Sequence, residues 1–98
     1  MSTKIQRLAE VDRIIHEPSR LMIVALLAAV KEADFQYLQQ ASRLTKGNLS
    51  VHLSKLEQAG YIAIEKTFRK KYPLTMCRLT ERGQEVLDSY RRTIKGAL

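Results

Sequence analysis

The most varied polar chemistry in the chain is concentrated in one stretch, Thr45 to Gly60, TKGNLSVHLSKLEQAG. Leu49, Leu53 and Leu56 recur there at i, i+4 and i+7, the spacing of one helical face, and leave Asn48, His52, Lys55 and Gln58 on other faces. Amide, imidazole, hydroxyl and ammonium groups displayed along a helix suit a nucleic-acid duplex in two ways. They hydrogen-bond to base edges in the major groove, where each base pair offers its own donor and acceptor pattern, and they neutralise backbone phosphates. The residue types assign expected roles: Asn48 to adenine, His52 as a solvent-facing donor to a purine acceptor, and Ser50 and Ser54 to weaker base or phosphate contacts. Lys46, Lys55 and Arg43 are expected on phosphate, where they position without reading sequence. The competing reading is an ordinary solvated helix face.

A second cationic group follows. Lys66, Arg69, Lys70 and Lys71 crowd the run KTFRKK, with Phe68 and Tyr72 beside them. Such a group suits phosphate or the minor groove, where it senses width more than base identity. The two aromatics are expected to brace the loop; stacking on single-stranded bases is the alternative. Without the paired aromatic motifs of an RNA-binding sheet, duplex DNA is the preferred target over RNA.

Both groups need elements to hold them. The first helix is expected over Ile5 to Ile15, where Ile5, Leu8, Val11, Ile14 and Ile15 recur at helical spacing among charged residues. His16 to Ser19 breaks it, and the next helix starts near Pro18 or Ser19, since proline is comfortable in a first turn. Its run LMIVALLAAV is apolar on nearly every side, the mark of a core helix. KEAD reads as a polar break with Asp34 as N-cap of a helix over Phe35 to Ser42, which offers Phe35, Leu38 and Ala41 to the core. Thr45 then caps the helix described above, and Gly60 stops it. Two short helices joined by a few residues match the helix-turn-helix plan.

Beyond Gly60 the apolar period shifts toward two. Tyr61 to Lys66 and Leu74 to Leu79 are expected strands, and Thr67 to Pro73, which contains no glycine, is expected as a projecting loop longer than a tight hairpin turn. Thr80 caps a last helix, Glu81 to about Lys95, with an apolar stripe of Val86, Leu87, Tyr90 and Ile94. A small interior has few places for the stripes on both the first and last helices, so the two are expected to pack against each other and across a two-fold axis. Ile5, Leu8, Val11, Ile15, Leu87, Tyr90 and Ile94 are the residues expected at that dimer interface.

The totals exclude several classes. Ninety-eight residues, 45% hydrophobic and 28% charged, imply one folded domain spanning 1–98. A formal charge of +7 favours polyanions. A single cysteine, Cys77, rules out an intrachain disulfide and a multi-cysteine zinc site, and the two histidines, His16 and His52, stand at unrelated places. No metal or other cofactor is expected. The longest apolar run covers ten residues, against about 20 for a membrane span, so no membrane association is expected and a cytoplasmic location is the default. No nucleophile, base and acid grouping or phosphate-cradling glycine loop can be made out, so the chain is not read as an enzyme.

NLSVHLSKLEQAGYIAIEK, followed after the basic loop by CRLTERGQEVLDSY, resembles the winged-helix transcriptional regulators of the MarR and ArsR type, especially their small single-domain archaeal and bacterial relatives. HEPSRLMIVALL is similar to the opening of their core helix. The resemblance covers roughly residues 14–90. It implies a mainly α winged helix-turn-helix with a small β wing, extra N- and C-terminal helices (about 4–15 and 81–95), and a homodimer. The helix from Lys46 corresponds to the recognition helix and Thr67 to Tyr72 to the wing. The acid, histidine and cysteine clusters of the metal-sensing branch have no counterpart here.

The expected function is sequence-specific binding of double-stranded DNA in transcriptional control. Symmetry-related recognition helices would meet half-sites roughly 34 Å apart, or a multiple of that. An unidentified small effector that changes their separation is one mode of regulation; constitutive binding is the other. The alternatives are a protein-interaction adaptor built on a winged helix and a low-specificity architectural DNA-binding protein.

Overall fold

The computed structural model describes residues 3–98. A short 3₁₀ helix, Gln6–Glu10, precedes α1 (Pro18–Val30), β1 (Glu32–Asp34), α2 (Phe35–Ser42), α3 (Lys46–Gln58), β2 (Ile62–Arg69), β3 (Tyr72–Leu79) and α4 (Glu81–Ala97). The fold is mainly helical with a small antiparallel sheet in the order β1-β3-β2.

The helices begin where side chains can take up their free amides. Glu17 accepts from the amides of Ser19 and Arg20 at 3.1 and 2.7 Å, with Pro18 in the first turn of α1. Asp34 caps α2 through Tyr37 N–H at 2.7 Å, Thr45 caps α3 through Asn48 N–H at 3.1 Å, and Thr80 caps α4 through Gly83 N–H at 3.0 Å. Helix α3 ends in a Schellman arrangement. Gly60, at φ 81°, donates to Glu57 O, and Tyr61 donates to Leu56 O. Glycine is needed there because a Cβ disfavours that backbone region.

Leu49, Leu53 and Leu56 of α3 pack with Ile23, Val24 and Leu27 of α1, Leu38 of α2, Ile62, Cys77 and Leu87 in one continuous core. Gly83 admits a close crossing: a Cβ there would stand 2.1 Å from the Tyr61 carbonyl oxygen and 2.8 Å from a Leu79 methyl. The start of α4 is thus pressed against the segment that joins α3 to β2, and Thr80 N–H donates to Tyr61 O at 3.0 Å.

Several expectations are corrected. The helix expected over Ile5 to Ile15 is interrupted: Val11 is extended, and Asp12 turns its carboxylate onto the amides of Ile14 and Ile15 at 2.9 and 3.0 Å. That local bonding competes with helix continuation. It also drives Ile15 fully into the chain's own core, so that residue is closed to a second subunit; Leu87 is buried too but lies at the floor of an apolar depression between α1 and α4. In α2, Ala41 is exposed and Ser42 is buried in its place. The residues read as a polar break contain β1, which pairs Glu32, Ala33 and Asp34 with Arg78, Cys77 and Met76.

The loop expected over Thr67 to Pro73 is instead almost wholly strand. The ladder continues to the Arg69 and Tyr72 pair, leaving Lys70 and Lys71 as a two-residue turn. Both have positive φ, 49° and 74°. This is the sign that a type I′ turn requires at its two central residues, and it matches the twist of the flanking strands.

Candidate nucleic-acid interface

Three buried leucines fix which way α3 faces. With Leu49, Leu53 and Leu56 inward, the opposite side is the stripe Gly47, Val51, Ser54, Gln58, stepped by four, three and four residues. Lys46, Asn48, Ser50, Ser54 and Lys55 are all exposed. Gln58 Nε2 reaches the Ser54 hydroxyl at 3.5 Å. Arg43, exposed at the end of α2 with φ 60°, stands at the bend between the two helices of the motif.

His52 differs from its sequence-based expectation. It lies at the edge of the buried side, half-buried rather than solvent-facing, with Nδ1 3.2 Å from Arg20 Nη1 and 3.7 Å from Glu17 Oε2. Arginine only donates, so in the Arg20 contact Nδ1 is the acceptor. Arg20 Nε also donates to Ile14 O. The cluster ties the middle of α3 to the start of α1. Burial would raise the Glu17 carboxyl, but the backbone amides of Arg20 and Ser19, with His52 and Arg20 alongside, hold it below the usual carboxylate value.

The hairpin presents the second cationic group. Lys66, Arg69, Lys70 and Lys71 are exposed, the last two at the turn itself. Phe68 and Tyr72 are 73% and 74% exposed on the terminal part of the ladder, so neither is packed away beneath the loop. A shallow cleft bordered by Gln36 and Gln39 of α2, Lys46 of α3 and Pro73 and Thr75 of β3 links the helix-turn-helix to the hairpin. The start of α3 and the hairpin therefore share one side of the molecule.

Asp12 anchors the N-terminal segment. Besides its two amide contacts, its carboxylate accepts a hydrogen bond from the Tyr61 hydroxyl at the base of β2. Burial and that carboxylate push the Tyr61 phenol up to about 12. Arg82 stands 5.8 Å from the Tyr61 ring centre. Cys77 is fully buried on β3, and burial, reinforced by Glu57 and Asp34, pushes its thiol up to about 11. It is a protonated core residue at neutral pH, without the exposed thiolate that redox chemistry requires.

Residues 19–98 match the model of a winged helix DNA-binding domain family. The chain belongs to that winged-helix family. An uncharacterized protein of Methanocaldococcus jannaschii is 33% identical over 78 residues, 80% of this chain and 85% of that protein. The solved structure of a transcriptional regulator homologue from Pyrococcus horikoshii OT3 superimposes with a TM-score of 0.86 at 27% identity, covering 95% of this chain and 92% of the other. A MarR family transcriptional regulator from Silicibacter pomeroyi shares the fold alone, with a TM-score of 0.69 at 16% identity, 96% of this chain covering 60% of that one.

The winged-helix family is a DNA-binding one, which supports DNA as the partner of this regulator-type domain, and the β2–β3 hairpin forms the wing of its small sheet. The family is a DNA-binding class rather than a catalytic one. Among the described residues, no three His, Cys, Asp or Glu side chains are grouped to hold a metal ion, and no helix is long and apolar enough to cross a membrane.

Val51 was absent from the sequence-based expectations, yet this apolar residue is 54% exposed at the centre of the outward stripe. Its position opposite the leucines was available from the helical period.

Proposed function

We propose that this winged-helix protein is a transcriptional regulator that binds specific duplex DNA sequences as a homodimer. The observation that carries the proposal is the proximity of two unlike exposed elements. The polar side of α3 and the cationic hairpin turn are both exposed, and a cleft lined by Lys46 at the start of α3 and by Pro73 and Thr75 of β3 brings the helix beside the hairpin. A helix of this diameter fits the major groove, and a basic hairpin beside it reaches the neighbouring backbone or minor groove.

Asn48 pairs with adenine in this scheme, and Ser50 and Ser54 add base or phosphate contacts. Lys46, Lys55 and Arg43 clamp phosphates near the helix, and Lys66, Arg69, Lys70 and Lys71 do so from the wing. His52 acts from behind by bracing α3 against α1 through Arg20 and Glu17.

Homodimerisation rests on the surface left over by the core. Leu21 and Ala25 of α1 and Leu87, Tyr90 and Ile94 of α4 line an apolar depression, and Ile5, Leu8 and Val11 of the N-terminal segment retain exposure. Tyr90 is oriented by a 2.9 Å hydrogen bond to His16 Nδ1. A second copy covering this depression would place two recognition helices about a two-fold axis.

Selection from a random duplex pool by the purified protein, across a salt titration, tests the proposal. A narrow palindromic motif with half-sites roughly 34 Å apart, or a multiple of that, is expected. Recovery without sequence preference would replace it with an architectural role. Absence of duplex binding, with a stable protein partner captured instead, would replace it with an adaptor role.

A further inference from the structure

Val51 sits at the middle of the DNA-facing stripe of α3 and is 54% exposed, whereas every other large apolar residue of that helix is buried. Its neighbours one turn away are Gly47 before it and Lys55 after it, with Asn48 and Ser54 three residues to either side. A helical side chain leans back over the turn preceding its own Cα, so the Val51 isopropyl group overlies the Gly47 turn. Nothing lies within 4 Å of the position a Cβ would take at Gly47. The apolar group is therefore presented above a bare stretch of backbone that a groove edge can approach closely. Its branching at Cβ fixes one dominant rotamer in a helix, so little side-chain freedom remains to be lost on contact.

Only one apolar group projects from base edges into the major groove, the C5-methyl of thymine. From this match, and resting on the proposed duplex-DNA function, we infer that Val51 is a specificity-determining residue that recognises a thymine methyl group in each half-site. The polar side chains around it read hydrogen-bonding edges; Val51 reads the methyl.

The test uses the full chain and the duplex it selects. Each thymine in the selected motif is replaced in turn by deoxyuridine, which removes the methyl and keeps every hydrogen-bonding group. At one thymine per half-site the replacement should weaken binding about fourfold, the worth of one buried methyl group. Val51→Ala, at an exposed position, should leave the melting temperature unchanged and abolish the thymine-to-uracil difference at that position only. A selected duplex that binds equally well with deoxyuridine at every position would overturn the inference and leave the regulator reading intact. So would a Val51→Ala variant that keeps the full methyl effect. If no duplex is selected at all, the regulator reading fails and takes the inference with it.

Discussion

Helix α3 and the wing turn carry comparable groups on opposite kinds of support. The helix is held by three leucines in the core, a threonine cap at its start and a glycine-based Schellman turn at its end. Its outward groups are fixed in direction before any partner arrives, as base reading demands. The turn has no core beneath it, exposes two aromatics, and holds Lys70 and Lys71 in a backbone region that glycine or asparagine would occupy at less cost. Left-handed geometry costs a non-glycine residue roughly 1 to 2 kcal/mol. Two lysines at such positions make sense if their charge is worth more than that strain. Rigid display suits sequence readout, and a projecting charge suits phosphate attraction.

Substitutions can break or sharpen this contrast, starting with the largest effect. Leu49→Ala removes a fully buried side chain of α3 and should cost about 3 kcal/mol in chemical denaturation. Gly83→Ala acts at the joint between the two regions. The added methyl meets the Tyr61 carbonyl, a backbone atom with no room to yield, so a loss of about 2 kcal/mol is expected by the same assay.

At the wing the sign reverses. Lys70→Asn with Lys71→Gly supplies the residues a type I′ turn prefers and should raise stability by about 1 kcal/mol. The same pair of changes should lower the salt slope of DNA binding by about 0.9 for each phosphate left without its lysine.

A pH titration examines the Asp12–Tyr61 contact at the base of β2. Because the folded Tyr61 phenol is raised to about 12, the unfolded chain releases this proton first as pH rises. The stability it contributes is fully present below about pH 10 and is lost as pH climbs from about 10 toward about 12. At pH 11 the loss should be on the order of 1 kcal/mol, and Tyr61→Phe should remove that alkaline dependence. The smallest effect belongs to Phe68→Ala, which should change stability by less than about 0.5 kcal/mol, since its ring is mostly in solvent.

How far the sequence revealed this arrangement depended on whether the signal was local. The starts of α2, α3 and α4 were legible because Asp34, Thr45 and Thr80 cap amides within three residues of themselves. The end of α3 was legible from Gly60. β1 was not, because three residues carry too short a pattern and their partner strand lies more than forty positions away. The N-terminal segment has helical spacing, yet Asp12 diverts the backbone into a turn and carries Ile15 into the core, which takes one of the segment's four expected interface residues away from any dimer interface. The tight wing turn was hidden by its residue types, since lysine is not a turn signal at positive φ. For the candidate interface, the exposed polar groups of α3 were read from periodicity, while the inward lean of His52 toward Arg20 depended on a helix more than thirty residues upstream.

In the proposed regulator the interface divides into a helix that discriminates sequence and a wing that supplies charge. The most direct test is one salt titration of binding to the selected duplex and to a scrambled duplex, with wild type, Asn48→Ala, and the pair Lys70→Ala with Lys71→Ala. Asn48→Ala should reduce the preference for the selected duplex by roughly 1 to 3 kcal/mol with the salt slope unchanged, whereas the wing pair should lower the slope by up to about 1.8 and keep the preference. A wing pair that erases sequence preference, or an Asn48 variant that preserves it while lowering the slope, would contradict the division.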